Sequence, residues 1–132
     1  MMGPIRLPLV VFRTKGSFMY SNNVVLVKGR VSSEPRIRQL PSGSSIVNLD
    51  VTTALDDGSG AVSVPIVVEA ESVHCAVGDQ VVVVGHVRRR FFRAGGATQS
   101  RTEVVAHKVV RASRTRAAQN LVASVVATLD AA

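Results

Sequence analysis

Apolar and polar side chains alternate with a period of two through much of the chain between residues 23 and 111. The clearest case is the segment in which Val47, Leu49 and Val51 are separated by polar residues. Such alternation predicts strands that bury one face. The pattern predicts five strands, which cover residues 24–31, 47–52, 62–68, 80–92 and 102–111.

The segments between the predicted strands are of three kinds. Residues 41–43, 56–60 and 94–97 all contain glycine, which is typical of turns and loops. Residues 36–40 alternate basic or polar with apolar side chains, which indicates a half-buried sheet edge. Residues 69–77 have weak strand character and are long enough for one short helix.

The predicted order is three strands, a short helix and two further strands. This order favours an all-β OB-fold, a five-stranded and partly open Greek-key barrel, with the helix between strands 3 and 4. An SH3-like barrel or an open sandwich would be the competing architecture. Neither readily explains a helix at that place.

After Arg116 the apolar period changes from that of a strand to that of an α-helix. One apolar stripe is formed by Ala118, Leu121, Val122, Val125, Val126 and Leu129. The stripe predicts a C-terminal amphipathic helix that packs on the barrel or on a partner subunit. Its polar face carries no Lys or Arg, which argues against a helix lying on a membrane surface.

These patterns divide the chain into an N-terminal extension (1–21), an OB-fold domain (22–111) and a C-terminal helix (112–132). The extension is interrupted by Pro4, Pro8 and Gly16, and it lacks the apolar core of a secretory signal. The sequence is equally compatible with a natural start at Met1 or at Met19.

The composition narrows the class of protein. The 132 residues are 46% hydrophobic, which is enough for a folded core and argues against a disordered chain. A single cysteine, Cys75, excludes a disulfide framework within one chain. No apolar run approaches the roughly 18 residues of a membrane span. The formal net charge of +7 favours an anionic partner, with nucleic acid as the first candidate.

The charge is segregated along the chain. Residues 1–38 carry seven basic side chains and one acidic one, whereas residues 39–84 carry six acidic side chains and no Lys or Arg. Residues 85–116 carry nine basic side chains and only one acid, Glu103. We expect the fold to bring the two basic segments together into one interaction surface, although basic and acidic segments can also neutralise each other across a sheet.

The sequence contains none of the common catalytic or nucleotide-binding strings: G-x-G-x-x-G, the P-loop, G-x-S-x-G and H-E-x-x-H are all absent. His86 and His107 can meet on adjacent strands, whereas His74 and Cys75 would not face each other on a helix. We therefore expect no enzyme, no metal site, no cofactor and no small-molecule substrate.

The segment Arg88-Arg89-Arg90-Phe91-Phe92-Arg93 is the most informative one in the chain. On a strand, Arg88, Arg90 and Phe92 project to one face and the other three residues to the opposite face. Each face thus offers cations beside an aromatic ring. This combination suits single-stranded nucleic acid, because guanidinium groups pair with phosphates and bases stack on rings. Alternatively, either ring closes the end of the barrel.

Seven short segments form an ordered set, at residues 23–31, 34–38, 41–43, 47–49, 78–81, 84–88 and 101–106. Together they resemble the bacterial single-stranded DNA-binding proteins (SSBs) over about residues 22–111. The resemblance implies an OB-fold that binds single-stranded DNA and assembles as a homotetramer. It also matches Phe92 to a stacking aromatic at the end of the fourth strand, and Arg38 to a basic position.

Two departures from the family pattern are evident. Ser63 and Glu69 stand where the family has aromatic residues. The sequence ends in a predicted helix rather than in a flexible tail with an acidic tip. We therefore expect a divergent or auxiliary member whose binding depends on arginine more than on stacking.

These observations predict a protein that binds single-stranded DNA with little sequence preference and protects it during replication, recombination or repair in the cytoplasm, associated with the nucleoid. The alternative is an OB-fold protein-interaction or assembly module with weak or no DNA binding. The predicted contact residues are Arg30, Arg36, Arg38, Arg88, Arg90, Phe92, Arg93 and Arg101.

Overall fold

The computed structural model describes residues 23–131, which form six strands and one α-helix. The predicted extension at residues 1–21, including Met19, lies outside the described residues. The strands are β1 (Val25–Val31), β2 (Arg36–Gln39), β3 (Ser45–Ala54), β4 (Ala61–Glu69), β5 (Gln80–Ala94) and β6 (Ala97–Arg111). A 3-10 turn (Ala70–Ser72) follows β4, and α1 (Thr115–Ala131) follows β6.

The strand pairings close into a ring. β1 pairs antiparallel with β5 through most of its length and with β3 at Arg30 and Val31. β5 pairs with β6, β6 pairs with β4 in parallel, and β4 pairs with β3. β2 lies outside this ring as an edge strand on β3. The mostly-β architecture agrees with an OB-fold, although it has six strands where five were predicted.

Valine side chains fill the interior of the ring. The alternation around Val47, Leu49 and Val51 places all three in the core, as predicted. β4 contributes Ile66 and Val68 from the same side of the sheet. β-branched residues suit this role because they pack well on a pleated surface.

Two strand glycines allow the backbones of neighbouring strands to approach closely. A Cβ atom on Gly29 would overlap the carbonyl oxygen of Thr52, at the point where β1 passes from β5 to β3. A Cβ atom on Gly85 would overlap the carbonyl oxygen of Val105 and lie 2.8 Å from the Cα of Ala106. Only glycine fits at either position without a shift of the neighbouring strand.

A β-bulge lies beside Gly85. Val84 pairs with Lys108 and Gly85 pairs with Ala106, so His107 is the extra residue of β6. The bulge changes which residues of β6 face inward: Val109 packs against the core on one side of it, and Val104 does so on the other. Residues 103 and 105 therefore face outward.

The C-terminal helix packs on the outer face of β5 and β6. Val82 and Val110 form a small apolar cluster with Ala118, and Leu121 and Val122 pack against it. The first part of the predicted apolar stripe, from Ala118 to Val122, thus packs on the sheet. Its later members differ, because Val125 is buried whereas Val126 and Leu129 are about half exposed. Of the helices in the described range 23–131, none is long and apolar enough to cross a membrane.

Two sequence predictions need correction. Residues 36–39 form a separate strand whose four residues are all exposed, because β2 lies outside the ring, and not a half-buried edge. Residues 69–77 contain one 3-10 turn of three residues rather than a short helix. Val73 and Cys75 both reach the core from the segment after the turn, with extended backbone at Val73, and this spacing of two does not suit a helix.

We predict that Gly85→Ala lowers the free energy of unfolding by about 1–3 kcal/mol, because the added methyl group forces β6 away from β5. Urea unfolding followed by circular dichroism measures the change. Gln99→Ala, at an exposed position on the same strand pair, serves as the control and should stay within about 0.5 kcal/mol of wild type. An unchanged midpoint for Gly85→Ala would contradict the close approach of the two strands.

Candidate nucleic-acid interface

The two faces of the Arg88–Arg93 segment carry different contacts. Arg88 and Arg90 both donate hydrogen bonds to Glu103 on the outer face of the sheet. Arg89 donates instead to the hydroxyl of Ser100, which lies on the opposite face. The alternation expected for a strand is therefore present in β5.

Three arginines enclose the carboxylate of Glu103. Arg88 Nη2 lies 2.5 Å and Arg90 Nε 2.9 Å from the same oxygen, Oε2. Arg101 Nε lies 3.3 Å from Oε1. The Glu103 side chain is completely buried beneath guanidinium groups that themselves remain partly exposed. The carboxylate thus fixes a row of cations at the surface, leaving a local excess of positive charge.

The ionisation of Glu103 depends on those arginines. Burial alone raises the pKa of the carboxyl group, because the charged form loses its contact with water. The hydrogen bonds and charges of Arg88 and Arg90 outweigh burial and hold the pKa below its ordinary value. Glu103 is therefore a carboxylate at neutral pH.

Each phenylalanine of the segment has a guanidinium neighbour. The Arg90 guanidinium carbon lies 5.3 Å from the centre of the Phe92 ring, and that of Arg89 lies 5.3 Å from the centre of the Phe91 ring. Phe92 is 38% exposed and Phe91 is 66% exposed, so neither ring closes the interior. Both rings are accessible to a flat ligand.

Arg38 and Arg88 line one groove, although they are far apart in sequence. The groove has a volume of about 340 Å³ and lies between β2 on one side and the outer face of β5 and β6 on the other. Ile46, Val67 and Val105 form part of its floor. The two basic segments of the sequence thus approach each other on one face of the molecule.

The remaining predicted contact residues lie at different distances from this groove. Arg36 is on exposed β2 and faces the same side as Arg38. Arg101 is directly opposite Arg90 on the groove face. Arg93 lies on the other face of the hairpin, where its Nη2 donates to the carbonyl oxygen of Gly96 at 2.9 Å.

Arg30 is not brought together with the β5 arginines. It pairs with Gln80 at the beginning of β5, eight residues before Arg88. At about 3.3 Å per residue, the two positions are about 26 Å apart along the strand. Arg30 is nearer to the β3 position that pairs with Arg36.

The pattern of the sequence did not reveal the role of Glu103. The available signal was that Glu103 is the one acid among nine basic residues in the segment 85–116. Its position opposite Arg88 depends on the register of the β5–β6 hairpin and on the bulge within it. Neither feature can be read from the alternation alone.

The histidines and the single cysteine are the candidates for catalytic or metal-binding chemistry. His86 Nδ1 and His107 Nε2 are 3.1 Å apart, so these two histidines do meet across the strands. Within residues 23–131, no group of three or more His, Cys, Asp and Glu side chains could hold a metal ion. Burial, reinforced by the charge of Asp79, raises the pKa of the Cys75 thiol and keeps it protonated at neutral pH.

We predict that Glu103→Gln lowers the free energy of unfolding at pH 7 by about 1–3 kcal/mol, because it removes the negative charge between three guanidinium groups and replaces one of the two acceptor oxygens by an NH2 donor. The folded pKa of Glu103 is depressed, so its contribution is present above the unfolded value of about 4.3 and is lost as the pH falls through the folded value. The difference between variant and wild type should therefore narrow between about pH 5 and pH 3.

Urea unfolding of variant and wild type at pH 7 and at about pH 3 tests this prediction. Glu71→Gln, which removes an exposed carboxylate, is the matched control and should match wild type at either pH to within about 0.5 kcal/mol. Equal destabilisation by Glu103→Gln at both pH values would mean that the side chain acts through shape rather than charge.

Comparison with known proteins shows similarity in fold. No protein-family model matches the sequence, and no curated protein matches it. Among solved structures, the chain is similar to one described as Plasmodium falciparum SSB complex with ssDNA, with a TM-score of 0.57 and 19% sequence identity. The similarity covers 69% of this chain and 95% of that chain. At this level of identity it shows the fold: an SSB-like OB-fold.

Proposed function

We propose that this protein binds single-stranded DNA with little sequence preference through the groove that Arg38 and Arg88 line. The observation that carries the proposal is the convergence of two sequence-distant basic segments on one face of an SSB-like fold. The similar solved structure is described as a complex with ssDNA. Arg36, Arg90 and Phe92 complete the central contact set, with Arg101 beside them and Arg30 and Arg93 at its periphery.

Phosphate pairing supplies most of the affinity in this proposal. Glu103 holds three arginines in a row beside the groove, so their guanidinium groups are ordered before DNA arrives. Ordering in advance reduces the entropy lost on binding. Contacts to phosphate carry no sequence information, which accounts for the lack of sequence preference.

Base stacking contributes less than phosphate pairing. Phe92 offers a partly exposed ring on the groove face. Ser63 and Glu69 are exposed on β4, at places where the SSB resemblance would put aromatic residues. Glu69 also lines the groove, so its charge acts against phosphate at that end. In this proposal, arginine contacts to phosphate replace part of the base stacking that aromatic residues of the SSB family would supply.

The proposal also includes the oligomeric state and the cellular role that the SSB resemblance implies. We propose a homotetramer that protects single strands during replication, recombination or repair in the cytoplasm. The half-exposed Val126 and Leu129 of α1 supply apolar surface that contact between subunits could bury.

A second candidate function is a protein-interaction module, which is favoured by exposed apolar residues such as Ile37 on the edge strand β2. The double variant Arg90→Ala, Phe92→Ala separates the two functions. Loss of oligonucleotide binding is expected under the first. Under the second, a protein complex would persist without any contribution from these side chains.

We predict that binding to an oligo-dT of about 16 nucleotides weakens steeply with salt. Each phosphate neutralised on a single strand contributes about −0.7 to the slope of log K against log salt, so four paired phosphates give a slope of about −3. Fluorescence anisotropy at several NaCl concentrations measures it. A duplex of equal length is the control and should bind more weakly, since its bases are not free to stack. A slope near zero would contradict the proposed function.

We also predict that Phe92→Ala weakens oligo-dT binding by about five- to 150-fold, which corresponds to the loss of one stacked base at about 1–3 kcal/mol. Phe91→Ala is the matched control, because it removes an equally accessible ring from the opposite face of the same strand. It should bind within about twofold of wild type. A greater loss for Phe91→Ala than for Phe92→Ala would assign the DNA to the other face of β5.

A further inference from the structure

A second cavity, of about 570 Å³, lies where the end of β6 meets the start of α1 and the segment after the 3-10 turn. Among the residues that line it there is no aspartate or glutamate. The titratable residues that line it are mainly basic residues and histidines. We call this cavity the second basic pocket. These wall residues are His74, His107, Lys108, Arg111 and Arg114.

The basic side chains of this pocket form no ion pair among the described residues, although the charge of Asp79 reaches Cys75 on the pocket wall. Within the part of the chain that the structure describes, the ion pairs all go to Glu103. The side chains of Lys108, Arg111 and Arg114 make no ion pair or hydrogen bond to another described residue. Lys108, Arg111 and Arg114 carry like charges around one cavity and repel each other, and a bound anion relieves that repulsion.

The second basic pocket adjoins the DNA-binding groove of the proposed function. Ser72 and His107 line both cavities, so the two cavities lie side by side. Each cavity falls within the range of about 300–1,000 Å³ that is usual for sites of small organic molecules. Each therefore has room for at least one nucleotide unit.

We propose that the second basic pocket binds the phosphate backbone of the same single strand that occupies the groove. The strand then crosses the molecule from the β2 edge to the start of α1, and a long oligonucleotide contacts more cations than a short one. This inference rests on the proposed function. It adds Lys108, Arg111 and Arg114 to the contact residues, none of which the sequence analysis selected.

Lysine acetylation of the wild-type full chain tests the path of the strand. Lys28 and Lys108 are both exposed, but Lys28 lies beside α1 in a separate apolar groove and serves as an internal control. An oligo-dT of about 16 nucleotides should slow acetylation of Lys108 several-fold, whereas one of about four nucleotides should not. Mass spectrometry reads both lysines in one sample. Equal protection of Lys28 and Lys108 would overturn the assigned path.

A pair of charge variants provides a second test. Lys108→Gln, Arg111→Gln should reduce the salt slope on the longer oligonucleotide by about 1.4, the share of two phosphates, and leave binding of the short one unchanged. The matched control, Lys28→Gln, Arg116→Gln, also removes one Lys and one Arg and should leave both slopes unchanged. Equal losses on the short and long oligonucleotides would place both residues in the first groove and overturn the inference.

The outcomes separate the two proposals. If wild type binds neither oligonucleotide, the proposed function fails and the inference fails with it. If wild type binds both, but the test and control variants behave alike and Lys108 is unprotected, the proposed function stands and the inference is wrong. The pocket would then be open to another anion, such as an acidic protein segment.

Discussion

The register of the β5–β6 hairpin is the constraint on which the rest of the structure depends. The bulge at His107 allows Val109 and Val104 to face the same core, although they lie an odd number of positions, five, from one another. A strand without the extra residue would turn one of these two valines towards water. The same shift points Glu103 outward, opposite Arg88, so the packing of the interior determines the arrangement of charges at the surface.

The surface chemistry combines a buried anion with exposed cations. A carboxylate without partners would not remain ionised beneath the surface, because its desolvation is too costly. Here three guanidinium groups compensate it and are held in place in return. The second basic pocket has the opposite character, because Lys108, Arg111 and Arg114 have no ion-pair partner among residues 23–131. Ordered, partly neutralised arginines thus lie near a pocket whose Lys and Arg side chains form no ion pair among the described residues.

The sequence pattern predicted the elements that are determined by burial of one of their own faces. The alternation around Leu49 predicts a strand because one face must be buried, and the stripe through Ala118 predicts a helix for the same reason. Features that depend on two elements together were missed. The neighbours of Glu103 follow from cross-strand register, and the exposure of Ile37 follows from the place of β2 outside the ring. Between β4 and β5, contacts of Val73 with the core favoured an extended segment over the predicted helix.

The far end of the β5–β6 hairpin, residues 91–102, is exposed along its whole length. A two-stranded ribbon without a covering layer has little stability of its own, so its root near Glu103 is its main anchor. By geometry, a change in twist near the arginine cluster would move the glycine-containing tip of the ribbon farther than it moves the residues next to Glu103. Phe92, Arg93 and Arg101 all lie on this ribbon, so a DNA strand bound as proposed would limit the movement of the tip.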